Sequence, residues 1–275
     1  MYIGNTPLSG IFLGNKTISS IYIGSALYWG GGTGLISYAY KYDSNTASTI
    51  DVSGLETHRC YNMAYMFNNC RNLTSIDTPS FNTSIVNNMT HMFHGCNNLT
   101  SLDVSNWSTN NVINLCNTFT NCGNLISLDV SNWNTSNVTD LNSTFNNCYS
   151  LTSLDVSNWN INNATNLSGT FSMCKQFKLL DVSNWNTNNV IDLNSTFDYC
   201  ISLTSLDVSN WNINNVTNLG STFSDCNKLA SLDVSNWNTS NVVYLNYTFY
   251  NCSNITSFDV SNWNTTNVTN LSSTF

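Results

Sequence analysis

From residue 99 onward, apolar and polar positions return in the same order every 26 residues. In the unit LTSLDVSNWSTNNVINLCNTFTNCGN, residues 99–124, the apolar positions are Leu99, Leu102, Val104, Trp107, Val112, Leu115, Phe119 and Cys122. Further units begin at Leu125, Leu151, Phe177, Leu203 and Leu229, and a truncated one begins at Ile255. The Trp column runs from Trp107 to Trp263, the Phe column from Phe67 to Phe275 and the Cys column from Cys70 to Cys252. A fixed period of this length marks a solenoid, in which each unit buries its apolar face only against its neighbours.

Each unit carries two local patterns. Leu102-Asp103-Val104 alternates, so a strand there puts Leu and Val on one face and Asp on the other. Val112, Leu115, Phe119 and Cys122 share one stripe of a short helix, and Asn111 is a suitable N-cap. That helix is rich in Asn, Ser and Thr, poor helix formers in an interior, so packing has to hold it. The expected fold is an α/β solenoid, a leucine-rich-repeat-like stack of strand–turn–short-helix coils. Its strands form one parallel sheet at a spacing of about 4.8 Å.

The frame extends N-terminally in degraded form. Ile50-Asp51 aligns with Ile76-Asp77, and Met63 and Phe67 align with Met89 and Phe93. Residues 35–72 therefore read as an N-terminal capping strand (Leu35 to Asp43) and a degenerate repeat, and 73–275 as the solenoid. Residues 1–29 follow a different rule. Tyr2-Ile3-Gly4-Asn5, Ile11-Phe12-Leu13-Gly14-Asn15 and Ile21-Tyr22-Ile23-Gly24-Ser25 recur every ten residues, each a short β run closed by Gly and a small polar residue. They predict a small β module, too small to be robust alone. Residues 30–34, Gly-Gly-Gly-Thr-Gly, read as a hinge.

Two resemblances follow from these residues. The strand LTSLDVSNWNTSNVT and the aromatic-then-Cys ending TFNNC resemble the 26-residue repeat of the BspA-like leucine-rich-repeat family over about residues 47–275, with Trp here where that family often has Phe. The resemblance implies a cell-surface or secreted adhesion and interaction protein. The N-terminal segment looks like the starts of bacteriophage tail and virion proteins, whose I-Y-L-G-N motifs end in Trp. It makes Tyr2, Ile3, Phe12, Leu13, Tyr22, Ile23 and Trp29 candidate virion-attachment residues.

Composition narrows the function. Charged residues make up 8% of the chain and the net charge is −8, so seven Lys and Arg provide no basic track for nucleic acid. No apolar run approaches the ~20 residues of a membrane span. Residues 1–20 lack a basic region, an apolar stretch and a cleavage site, so no secretory signal is read there. Adhesin-like repeats without an export signal fit a particle assembled in the host cytoplasm. The expectation is thus a non-enzymatic virion protein, a fibre or decoration that presents the solenoid to the host surface. Its partners would be other virion proteins, copies of itself, and a host glycan or protein. The alternatives are a bacterial cell-surface adhesin of the BspA-like family and a structural spacer without a ligand.

The candidate chemistry lies in columns. The carboxylates Asp103, Asp129, Asp155, Asp181, Asp207 and Asp233 leave the core side of the strand, next to Ser105, Ser131 and Ser157. Stacked like charges repel. Either hydroxyls and amides of the next coil offset them, or the column is a binding face for a sugar, a cation or a protein. The Trp column is either turn packing in a stacked ladder or a sugar-stacking surface. Cysteines 26 residues apart on one edge do not converge on zinc and seldom meet the geometry of a disulfide, so buried free thiols are expected. His91 and His94 have metal-ligand spacing but no carboxylate nearby in sequence, and surface histidines are the simpler reading. No catalytic motif and no cofactor is indicated. The chain stops mid-repeat at Phe275, so Trp263, Leu271 and Phe275 form a candidate C-terminal interface, covered in a homo-oligomer or by a partner.

Overall fold

A computed structural model describes the strands within residues 1–30, residues 48–50, 52, 57–58 and 60–78, and then 81–275 without a break. Phe12, Leu13, most of the expected hinge and the strand expected at 35–43 lie outside the described residues. In the N-terminal stretch, β1 (Tyr2–Ile3) pairs antiparallel with β2 (Thr6–Pro7), and β3 (Ser20–Ile23) with β4 (Ala26–Gly30). The second hairpin carries a register irregularity between Ile21 and Tyr22. Of the runs in the ten-residue pattern, residues 2–3 and 21–23 fall on these strands, and residues 11–13 lie outside the described residues.

The solenoid forms at the predicted period, but its coils contain no helix among the described residues. The stretch read as a helix is a chain of turns. Within one coil, Thr118 N–H bonds the Leu115 carbonyl (3.1 Å) and Cys122 N–H the Phe119 carbonyl (3.0 Å), each three residues back. The intervening amides point along the solenoid axis. Leu115, Asn117, Phe119 and Asn121 donate to the carbonyls of Asp140, Asn142, Thr144 and Asn146 in the next coil, at 2.8–3.0 Å. An α-helix would keep all these bonds inside one segment. Here half of them join neighbouring coils, so stacking and backbone pairing are one event.

The device that breaks the helix is a left-handed residue twice per coil. Asn117 (φ 57°) and Asn121 (φ 63°) are followed one period later by Ser143 (φ 53°) and Asn147 (φ 60°). Gly95 (φ 74°) and Gly169 (φ 62°) occupy the same columns. Asn and Gly are the residues that adopt this conformation most readily. Other coils carry Ser, Tyr, His, Met or Asp at these positions, so the left-handed columns left only a partial signal beneath the apolar spacing of three and four. A chain of turns also brings a side chain inward every three or four residues.

The predicted strand is shorter than the alternation suggests. β5 (Thr49–Ile50) and β6 (Ser75–Ile76) pair in parallel, and later coils continue as single bridges such as Ser101 with Ser127. Tight turning truncates it: Trp107 N–H closes onto the Val104 carbonyl at 3.0 Å, three residues after the strand face. A second line of parallel bridges runs through Asn62, Asn88, Asn114, Asp140, Asn166, Asp192, Asn218, Tyr244 and Asn270. No residue pattern flagged it, because its side chains are polar.

The core is the sum of the apolar columns. Phe119, Phe145, Phe171, Phe197 and Phe223 are fully buried and stack at 5.6–5.8 Å between ring centroids. Trp107 through Trp237 are buried as well, so the indoles belong to the core and are closed to sugar stacking. Each indole from Trp133 on donates from Nε1 to a valine carbonyl of the preceding coil, as Trp159 does to Val130 at 3.2 Å. The first rung, Trp107, has a buried N–H with no partner.

A polar column of threonines completes the interior. The buried Thr144 hydroxyl is shared between the carbonyls of Leu141 (2.8 Å) and Leu115 (3.1 Å), and Thr118, Thr170, Thr196, Thr222 and Thr248 repeat the arrangement. On the surface, Asn137 Nδ2 bonds the Asn110 carbonyl and Asn163 Nδ2 the Ser136 carbonyl, so asparagine amides clip successive coils together. The abundance of Thr and Asn is therefore structural, since buried carbonyls without donors would be costly.

Candidate functional site

The face that carries the Asp column turns outward, as the alternation requires. Leu102, Leu128 and Leu154 point inward beneath it, and the carboxylates are exposed. A shallow groove of about 530 Å³ crosses three coils here, lined by Ser101, Asp103, Ser127, Asp129, Ser153 and Asp155 with the leucines at its floor. Ser105, Ser131 and Ser157 stand behind the carboxylates at its margin.

The carboxylates are satisfied locally, though not in the way expected. Asp103 Oδ1 accepts the Ser105 amide (3.0 Å) and the Ser105 hydroxyl (2.7 Å), both two residues ahead in the same coil and not in the next one. Asp129, Asp155, Asp181, Asp207 and Asp233 repeat the turn. Each therefore initiates the bend that ends its own strand. The two electrostatic influences have opposite signs. At Asp129 the Ser131 hydroxyl and amide lower the carboxyl pKa, while burial and the Asp103 charge raise it. The net shift is downward, so hydrogen bonding outweighs like-charge repulsion. Asp103, Asp181, Asp207 and Asp233 shift the same way. Asp103, Asp129 and Asp155 line the groove, and in each the turn bonds go to Oδ1.

The other candidates separate. The thiols of the Cys column from Cys96 to Cys252 are unbridged, and each donates to a phenylalanine carbonyl of the preceding coil, as Cys148 does to Phe119 at 3.2 Å, while Cys116, outside the column, reaches Asn142 Oδ1. Burial pushes the Cys148 thiol up to about 12, which makes it inert as a nucleophile. His91 stacks on Tyr65 at 4.8 Å and approaches His94 at 5.1 Å. Both rings are half-buried, and their Nδ1 atoms lack partners. Burial lowers both imidazoles, and the Arg71 charge lowers His94 further, a poor setting for a cation. Among the described residues, no group of three or more His, Cys, Asp or Glu is placed to hold a metal, and no helix is long and apolar enough to cross a membrane. Trp263 is half-buried, while Leu271 and Phe275 are 54% and 65% exposed, on the last coil.

The sequence reading passed over a second carboxylate pair. Asp198 and Asp225 sit in adjacent coils on the turn face, in columns held elsewhere by Thr120, Asn146 and Ser172 and by Asn121 and Asn147. Burial raises Asp198 to about 6, with the Asp225 charge adding and the Ser224 and Ser172 hydroxyls opposing. The folded state then holds a proton that the unfolded chain has released between about pH 4 and 6. Stability contributed here falls as pH rises across that window and is flat above it. Asp198→Asn is expected to raise the melting temperature at pH 7.5 and to leave it unchanged at pH 4. An equal shift at both values would show that Asp198 ionises normally.

A family model described as "Mycoplasma protein of unknown function, DUF285" matches residues 36–151, 98–204 and 165–275, so its overlapping copies span the whole solenoid. The chain belongs to the DUF285 family. The DUF285 frame is consistent with the BspA-like repeat read from the columns. No curated protein matches the chain in sequence. Among solved structures, an internalin (inlF) of Listeria monocytogenes is 16% identical, covering 76% of this chain and 70% of its own, with a TM-score of 0.23. A leucine-rich cell surface protein of Faecalibacterium prausnitzii is 12% identical, covering 88% and 86%, also with a TM-score of 0.23. Superposition at that level carries no argument about this DUF285 chain.

Proposed function

We propose that the chain is a non-catalytic repeat protein of the bacterial cell surface that binds a partner through its strand face. The groove over Asp103, Asp129 and Asp155 carries this reading, because three coils present the same oxygen acceptors at a fixed spacing on a face the fold leaves open. Repetition of this kind suits an extended ligand with its own repeat, such as a glycan or a protein strand. The BspA-like character of the repeat supports a surface location.

Asp→Asn exchange at 103, 129 and 155 together tests it. Asparagine keeps the oxygen that caps the Ser105-type turn, so the variant should keep its fold. Binding to intact host cells, or to a panel of glycans and matrix proteins, should fall by about tenfold, as expected for the loss of several charge-assisted bonds. Unchanged binding would move the site off this face. A second reading, the phage virion protein, is favoured by the three ten-residue repeats of residues 1–29. In that case protein lacking residues 1–29 should fail to co-purify with particles.

A further inference from the structure

One end of the turn face departs from the repeat. Tyr199, Tyr244, Tyr247 and Tyr250 expose their rings there at 41–46%. Tyr247 and Tyr250 stand perpendicular, 5.5 Å apart. Tyr199 and Tyr247 hold left-handed conformations (φ 56° and 57°), where the equivalent positions elsewhere carry mostly Asn, Ser or Gly, with Tyr65, His91 and Met173 as the other large side chains. A tyrosine is a costly choice at such a position, and its ring gains little burial in return. The fold does not account for these rings.

Nor does the fold account for the carboxylates between them. Asn251 Nδ2 donates to Asp225 Oδ1 at 2.7 Å, the same ladder bond that Asn147 Nδ2 makes to Asn121 Oδ1 at 2.7 Å. The rung needs an oxygen, and asparagine supplies one without charge. At 225 the ladder instead carries a carboxyl group, next to Ser224, whose hydroxyl bonds Asp225 Oδ2 at 3.1 Å. The charged group acting on Asp198 is Asp225, a like charge and not a basic side chain. The Asp225 charge also raises the Tyr199 phenol, ahead of burial and Asp198, which places the ring beside the carboxylates.

We propose that Tyr199, Tyr247 and Tyr250, with Asp198 and Asp225, form a docking surface for a lysine- or arginine-bearing segment of a protein partner. Aromatic faces attract ammonium and guanidinium groups, and the carboxyl groups of half-buried Asp198 and of Asp225, buried at 8% exposure beneath the rings, are the complementary acceptors. A neutral glycan would use the rings but not the charge, and a bare metal ion the charge but not the rings. The surface is separate from the strand-face groove and stands or falls independently of it.

The test is calorimetric titration of the full chain with pentalysine at low salt, beside a trimer of N-acetylglucosamine. Pentalysine should bind, and Asp225→Asn and Tyr250→Ala should each weaken it by about tenfold. Asp225→Asn restores the common rung of the ladder, so its melting curve should stay at or above that of the wild type. Asp140→Asn removes a carboxylate elsewhere, in a column that Asn114, Asn166 and Asn218 hold in other coils, and should change binding less than about twofold. Failure of pentalysine to bind, equal weakening by Asp140→Asn, or binding of the trimer in place of pentalysine would each overturn the proposal.

Discussion

Truncation of Phe145 to alanine is expected to destabilise the central coils by about 3–5 kcal/mol. Its ring is fully buried, stacked 5.6 Å from Phe119 and 5.8 Å from Phe171, with Trp159 at 6.0 Å. The cavity would open into two neighbours at once. In a solenoid each unit is stabilised mainly by the interfaces on either side, so the damage should stay local. Hydrogen exchange should show faster opening around residues 119–171, with terminal coils less affected. Denaturant titration that matches the wild type would place the Phe column outside the core.

Replacing Trp159 by alanine should cost a similar amount, about 3–5 kcal/mol, and phenylalanine separates the causes. The indole stacks 6.3 Å from Trp133 and 6.5 Å from Trp185, and its N–H reaches the Val130 carbonyl at 3.2 Å. Trp159→Phe keeps much of the buried ring and loses only that bond, which should cost about 0.5–1.5 kcal/mol because the Val130 carbonyl still accepts the Trp133 amide at 3.0 Å. Phe81 already stands one period before Trp107 and stacks on it at 6.3 Å, so the fold accepts phenylalanine in this column. If Trp159→Phe were as damaging as Trp159→Ala, the hydrogen bond would outweigh the packing. A ladder open to ligands would instead tolerate both.

The partition between the two carboxylate sets shows how regularity misleads. The Asp103 column was visible because it repeats, yet its first task is to end a strand through the Ser105 amide and hydroxyl. Asp198 and Asp225 occur once each in their columns, and a search for periodic signals passes over them. Departure from the repeat is the stronger sign of a local role, because a column preserved in every coil already has a structural reason to exist.

The sequence alone determined the coil length, the stacking axis and the membership of the core. A side chain that returns every 26 residues can be buried only by its own copies, and Leu102, Val104, Trp107, Leu115, Phe119 and Cys122 are all interior. The outward face of Asp103 followed from alternation alone. The backbone between Val112 and Cys122 was decided by tertiary structure. Apolar spacing of three and four fits a helix and a chain of turns equally. The choice rests on where amide protons find acceptors, and the carbonyls of Asp140, Asn142 and Thr144 exist as acceptors only once the next coil is stacked. The same holds for the Thr144 hydroxyl and the Asn137 amide, which look like solvent-facing polar residues until a neighbouring coil places carbonyls against them. Polar residues whose partners lie a full coil away in sequence leave no local trace, so only stacking could reveal what they hold together.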